Sequence, residues 1–394
     1  MAHPLRQSSQ QHASEQMTRF FISAGETSGD FHAATVVSEL KLRFPNANIS
    51  GIAGSQMQQQ GCIPIHHMHE LNVMGISDVL RSLSRIRMIE KSILTHCCEQ
   101  KPDVAILVDF SSFHMRLGRK LRQQGIPVIH FIAPKLWAWG SWRVKKLQKS
   151  QDKLACILPF EVEWFQQHGI KHIEYVGNPS AIACQHGWSA TEIKQRLHIN
   201  TTQSLLALLP GSRPQEIKTH VPILADVLKK LQQHQPDLVC VIPIAPGIAM
   251  TDLDPLWHLG AIPIERTLEG YAMRADAAVA VSGTATLELA LWNTPTILIY
   301  KAAPLMAFLA RHLFKLGNVG LANIILDDQP VMPELLQDDC QPDKIIAQLL
   351  PLIRNEAPAQ QQREAFIPLQ RVLGQNRPAS GVVDMVESLL KDAE

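Results

Sequence analysis

The chain has 394 residues, of which 46% are hydrophobic and 19% charged, a composition of a soluble globular protein long enough for two ordinary domains. Its 37 Lys and Arg against 36 Asp and Glu leave a formal net charge of +1, so no global field draws it to nucleic acid, and contact with anions or lipid must come from local clusters. Seven cysteines, an odd number with no C-x-x-C, argue against a disulfide framework and a cysteine zinc site and suit a reducing cytoplasm.

Residues 1–17 are polar and lack an apolar h-region, so they read as a disordered tail and not as a signal peptide. From Thr18 onward, apolar runs of strand length alternate with helical patterns. The strands are RFFISAG (19–25), NISGIAG (48–54), DVAILVDF (103–110), PVIHFIA (127–133), KLACILPF (153–160) and IEYVGNP (173–179), with a helix over 29–44. His66, His67 and His69 lack partnering acids or cysteines and read as a solvated loop. After Gly177-Asn178-Pro179 and a polar stretch, a second set follows: LLALLPG (205–211), LVCVIPIA (238–245), AAVAVSG (277–283) and TPTILIY (294–300). The pattern predicts two parallel sheets with crossover helices, an α/β chain with domains at 18–180 and 200–394. The last helix, GVVDMVESLLKDA, closes the second domain or reaches back to the first; it is counted here with the second. No segment reaches the roughly 18 apolar residues of a membrane span.

Open parallel sheets bind ligands beyond the C-terminal ends of their strands, where helix N-termini present free N–H groups and partial positive charge. Three such junctions carry unusual chemistry. In SAGETSGD (23–30), glycines allow close approach to a ligand, and Glu26 suits substrate hydroxyls, with Ser28 or Asp30 as a cap. In LLPGSRPQEI (208–217), Gly211 and Ser212 with the charge of Arg213 suit a phosphate. In SGTATLE (282–288), Ser282, Gly283, Thr284 and Thr286 suit a diphosphate, and Glu288, one turn on, can accept the two hydrogen bonds of a ribose diol. Two phosphate-friendly junctions after an acid-bearing one give the plan of a glycosyltransferase with two Rossmann-like domains facing a cleft, nucleotide in the second and acceptor in the first.

Seven segments in order, AGETSGD, NVMGISDVL, WAW, LPFE, LLPGSRPQEI, SGTATLE and PELLQ, resemble lipid-A-disaccharide synthases over about residues 18–340. The resemblance implies a GT-B fold and an inverting transfer from UDP-2,3-diacylglucosamine to 2,3-diacylglucosamine 1-phosphate, giving the β-1,6-linked disaccharide and UDP. It implies no metal and no cofactor, and it places Glu288, Asn323 and Gln337 on the nucleotide side. Some members carry an acid, a proposed general base, where this chain has Ser112; Glu26 and Asp109 are the remaining candidates. GNP (177–179) replaces the usual Gly-His-Pro, and LAN (321–323) replaces Leu-Pro-Asn.

An acylated substrate calls for an apolar surface. Trp137, Trp139 and Trp142 precede Arg143, Lys145, Lys146 and Lys149, while Leu305 and Phe308 lie near Arg311 and Lys315. Aromatics beside cations fit a peripheral protein on the anionic cytoplasmic leaflet of the inner membrane. A homo-oligomer is left open. A UDP-sugar 2-epimerase of the same fold and a non-catalytic lipid-binding paralogue are the alternative readings.

Overall fold

The computed structural model describes residues 17–71, 79–138, 140–184, 189–245, 248–265, 274–302, 318–326 and 329–392. The expected tail up to residue 16, most of the NVMGISDVL segment, Trp139, Leu305 and Phe308 lie outside the described residues.

The strands form where continuous apolar runs must be covered on both faces. Val104–Val108 and Leu205–Leu209 are buried at every position, as parallel strands sandwiched by helices require. In the first sheet the strands are β1 (Arg19–Ala24), β2 (Asn48–Ala53), β3 (Ile63–His67), β4 (Val104–Val108), β5 (Val128–Phe131), β6 (Lys153–Cys156) and β7 (Ile173–Tyr175). Their spatial order is β3-β2-β1-β4-β5-β6-β7. The second sheet has β8 (Leu205–Leu209), β9 (Val239–Ile244), β10 (Ile262–Glu265), β11 (Ala277–Val281), β12 (Thr296–Tyr300) and β13 (Glu334–Leu336), in the order β10-β9-β8-β11-β12-β13. Both are Rossmann orders of parallel strands.

Three strands were not expected from the sequence, and each is an outermost strand. β3 and β10 contain Pro64 and Pro263, which a sheet tolerates at its edge because the missing N–H faces no neighbour. His66 and His67 therefore end an edge strand and do not form a free loop; His66 Nδ1 lies 3.1 Å from the Glu70 carboxylate. β13 is only three residues long, too short for alternation to show.

The chain divides into two compact units, Met1–His130 with Val383–Glu394, and Phe131–Val382. The sheets divide elsewhere, between Tyr175 and Leu205, so the division falls inside β5. In the second sheet alternate residues feed opposite core layers: Leu205, Ala207 and Leu209 on one side, Leu206 and Leu208 on the other. The last helix, Pro378–Lys391, was counted with the second domain, but its later part belongs to the first unit. Arg43 near the end of helix Thr27–Arg43 pairs with Asp384 at 2.6 Å and Glu387 at 3.1 Å. Val383, Met385 and Val386 of the same stretch are buried, and helical periodicity marks that face without naming the surface that covers it.

Candidate active site

Each strand order reverses between two neighbours, β1 and β4 in the first sheet and β8 and β11 in the second. At such a reversal the following helices leave to opposite faces and the loops part, opening a crevice beyond the strand ends. Glu26 follows β1, and Asp109 follows β4. Gly211, Ser212 and Arg213 follow β8, and Ser282, Gly283 and Thr284 follow β11. All the junctions singled out in the sequence thus stand at the two reversal points.

At the first reversal, Glu26 is the exposed N-cap of helix Thr27–Arg43, and its carbonyl accepts the Asp30 N–H at 2.9 Å. Asp30 is buried and caps a different helix. Its carboxylate accepts the N–H groups of Gly54 (2.9 Å), Gln56 (3.0 Å) and Met57 (3.2 Å) at the start of helix Ser55–Gln59. Beyond β4, Asp109 and Phe110 both take left-handed backbone angles, φ 52 and 48. Two such non-glycine residues cost about 1 kcal/mol or more each and persist only where the surroundings enforce them. Gly25 makes room for this turn: a Cβ there would overlap the Phe110 ring.

At the second reversal, Gly211 has φ 121, and a Cβ on it would stand 2.6 Å from the Glu216 Cβ. The Glu216 carboxylate accepts the Ser212 N–H at 2.9 Å and the Arg213 N–H at 3.3 Å, and it pairs with the Arg213 guanidinium at 3.2 Å. The loop is thereby held while the Arg213 side chain stays 76% exposed, a cation available to an anion. Beyond β11, Gly283 and Thr284 are exposed at the start of helix Thr284–Leu291, with open space where a Gly283 Cβ would be. Glu288 is half-buried and accepts the Ser180 hydroxyl at 3.2 Å. Ser180 is set there by Asn178, which accepts the Ser180 N–H at 3.0 Å and the Ala181 N–H at 3.3 Å and donates to the Ile157 carbonyl at 3.1 Å. The exposed Arg213 guanidinium, the exposed start of helix Thr284–Leu291 and the half-buried Glu288 carboxylate thus follow β8 and β11, the two strands that flank the reversal.

The family model for lipid-A-disaccharide synthetase matches residues 20–380. A lipid-A-disaccharide synthase of Myxococcus xanthus is 34% identical over 377 residues, covering 94% of this chain and 97% of that one. One of Nitrosococcus oceani is 34% identical over 357 residues, covering 90% and 92%. The chain belongs to the lipid-A-disaccharide synthase family. Similar solved structures include MurG of Acinetobacter baumannii (TM-score 0.58, 15% identity, covering 94% of this chain and 99% of that one) and the calicheamicin glycosyltransferase CalG4 (TM-score 0.60, 14% identity, 96% and 99%). A UDP-GlcNAc 2-epimerase from Neisseria meningitidis is also similar (TM-score 0.59, 14% identity, 94% and 99%). At such identities the likeness speaks for the fold alone. The sequence family makes the chain a glycosyltransferase of lipid A assembly and does not favour the epimerase.

Several residues that the synthase motifs mark out are scaffold in the structure. The Thr286 hydroxyl, expected at a diphosphate, is buried and donates to the Gly283 carbonyl at 2.7 Å within its own turn. Asn323 is wholly buried. It donates to the Met332 carbonyl (2.8 Å) and the Glu334 carboxylate (2.9 Å) and accepts the Met332 N–H at 2.8 Å. Glu334 in turn accepts the Val319 and Gly320 N–H groups, each at 2.9 Å, and the Ser282 hydroxyl donates to the Val319 carbonyl at 3.4 Å. Asn323 and Glu334 therefore hold the backbone that Ser282 leans on. Gln337 has φ 51, and its side chain takes the Ala302 N–H at 3.3 Å just beyond β12. Trp137, expected on the surface, is half-buried, meets Phe160 edge-on at 5.0 Å and donates to the Glu161 carboxylate at 3.0 Å. Burial pushes the Glu161 carboxyl up to about 7. Trp142, by contrast, is 65% exposed, and Lys145, Lys146 and Lys149 are exposed beside it.

Sequence reasoning missed the histidines. His220 donates from Nδ1 to the Glu216 carbonyl at 2.8 Å and accepts the Lys301 N–H at Nε2 at 2.9 Å, joining the first turns of helix Pro214–His234 to the end of β12. Burial lowers its pKa, in keeping with a neutral ring. A histidine among apolar helix positions carries no local signal of such a bridge.

Proposed function

We propose that this chain transfers the diacylglucosamine unit of UDP-2,3-diacylglucosamine to the 6-hydroxyl of 2,3-diacylglucosamine 1-phosphate, with inversion and release of UDP. The observation that carries the reading is the convergence of the sequence-marked loops on the two strand-order reversals of a lipid-A-disaccharide synthase family member. In this reading the donor diphosphate lies against the Ser212 and Arg213 loop and the N–H groups beside Gly283 and Thr284. Fixed positive charge there stabilises the leaving diphosphate as the glycosidic bond breaks. Glu288 takes the ribose diol. Asp109 is the general base that accepts the 6-hydroxyl proton as that oxygen attacks the anomeric carbon, and Glu26 engages acceptor hydroxyls. Ser112 offers only a hydroxyl, which can orient the acceptor but not deprotonate it.

The acylated substrates reside in a membrane, and the exposed Trp142 beside Lys145, Lys146 and Lys149 supports peripheral contact with anionic lipid at the cytoplasmic leaflet. Among the described residues no helix is long and apolar enough to cross a membrane.

Incubation with both acylated sugars tests the reading. Disaccharide plus UDP supports it, an epimerised UDP-sugar supports the isomerase, and binding without turnover supports a non-catalytic paralogue. For the nucleotide site, Arg213→Ala and Glu288→Ala should each weaken UDP binding by about tenfold or more, the worth of a charge-assisted hydrogen bond, and Arg213→Ala should also flatten its salt dependence. Calorimetry giving unchanged UDP affinity in both variants would remove the nucleotide from this place.

A further inference from the structure

We propose that His114 is a positioning residue for sugar transfer, holding the Asp109 peptide in the left-handed turn from which its carboxylate serves the acceptor hydroxyl; this rests on the assignment of Asp109 as the base. His114 lies in the first turns of helix Ser111–Gln123 and is wholly buried. Its Nδ1 stands 2.7 Å from the Asp109 carbonyl oxygen and its Nε2 stands 2.9 Å from the Ser23 hydroxyl. A carbonyl oxygen can only accept, so Nδ1 carries the proton. Nε2 is then the acceptor, and the Ser23 hydroxyl donates to it. Ser23 is itself buried in β1, the neighbour of β4 in the sheet. The imidazole therefore ties the peptide that leaves β4 to the strand beside it, in one tautomer.

The tie acts where the backbone most needs it. Phe110, at φ 48, sits in a region that L-residues with bulky side chains avoid, and Asp109, at φ 52, precedes it in the same region, which a short polar side chain enters more readily. Without the Nδ1 hydrogen bond the turn can relax towards ordinary angles, and rotation at Asp109 carries its carboxylate away. The ring also stays in the form this requires. Burial draws the His114 pKa down to about 4, so the ring is neutral at pH 7 and Nε2 remains able to accept. The ring of His130, held neutral by the same burial, meets His114 edge-on at 6.4 Å and brings no charge to it.

Two substitutions separate the two ends of the ring. In His114→Asn the amide nitrogen stands near the Nδ1 position and can still donate to the Asp109 carbonyl, at the loss of Ser23. In His114→Gln the longer side chain reaches the Nε2 position and keeps Ser23, at the loss of Asp109. The enzyme should be assayed for kcat, acceptor KM and UDP affinity, with thermal midpoints to show folding. Displacement of a reacting group by about 1 Å costs on the order of a hundredfold in rate. The expected result is a fall in kcat of that order for His114→Gln, with UDP affinity and acceptor KM kept, and restoration of most of it in His114→Asn. In Asp109→Asn the added His114→Gln change should cost nothing further, because both act through one group. Equal kcat in the two histidine variants, or losses that multiply with Asp109→Asn, would overturn the proposal. If Asp109→Asn turns over normally, the base assignment falls and takes the proposal with it. If Asp109→Asn is inactive while His114→Gln is normal, the proposal alone falls.

Discussion

Replacing Gly25 with alanine tests the geometry at the first reversal with a single methyl group. The new Cβ would overlap Cγ and Cδ1 of Phe110 and stand 2.8 Å from its Cβ. Ring rotation can clear the first two atoms but not the third, whose place is set by the backbone. Carbon atoms in contact sit at about 3.5 Å, so the Phe110 backbone must give by roughly 0.7 Å. Overpacking of this kind costs about 1–3 kcal/mol. Phe110 is bonded to Asp109, so a shift of that size moves the proposed base, and a fall in kcat of up to about a hundredfold is expected. UDP affinity should be untouched, since the residues proposed to hold UDP belong to the other compact unit. Phe110→Gly removes the ring and tolerates left-handed angles, so Gly25→Ala with Phe110→Gly should regain part of the rate, although the packing of the ring against Phe113 and His114 is lost. The assay is disaccharide formation under saturating substrates, with calorimetric unfolding alongside. Wild-type stability and wild-type kcat in Gly25→Ala would refute the reasoning, because the methyl group would then have met nothing.

Asp30→Ala orphans the Gly54, Gln56 and Met57 N–H groups and should destabilise the protein by about 3 kcal/mol in denaturant titration, with Asp30→Asn costing less. The Glu161 carboxyl is raised from 4.5 to about 7 in the fold, so the native state keeps a proton that the unfolded chain has lost. Its contribution is complete below pH 4.5 and is lost as pH rises to 7, worth about 3 kcal/mol over that window, and Glu161→Gln should flatten the slope of stability against pH there. Trp142→Ser should weaken binding to anionic vesicles at unchanged thermal stability. Trp137→Ser should instead lower stability by about 2 kcal/mol, because it strips the buried Glu161 of a donor and leaves a gap beside Phe160. The reverse pattern in the two tryptophan variants would contradict their placement.

Local chemistry made much of this protein legible before any coordinates. The inner strands are apolar throughout because both of their faces are covered, and polar or glycine-bearing turns follow them. That rule found β1, β4, β8 and β11 and the loops of Glu26, Asp109, Arg213 and Ser282. It passed over β3, β10 and β13 because edge strands are half-covered, short or interrupted by proline.

The direction in which a side chain turns, and its partner, were decided by the tertiary structure. Thr286 and Asn323 sit in the right motifs yet spend their hydrogen bonds inward, and Trp137 reads as an interfacial aromatic until Glu161 is found behind it. Asp30 caps a helix whose N-cap residue, Gly54, lies 24 positions away, and Ser23 meets His114 across 91 positions. Such pairs follow from strand order. Periodicity along the chain records which face of an element is buried, but only the sheet places β1 beside β4, and with it the hydroxyl that fixes the histidine beneath Asp109.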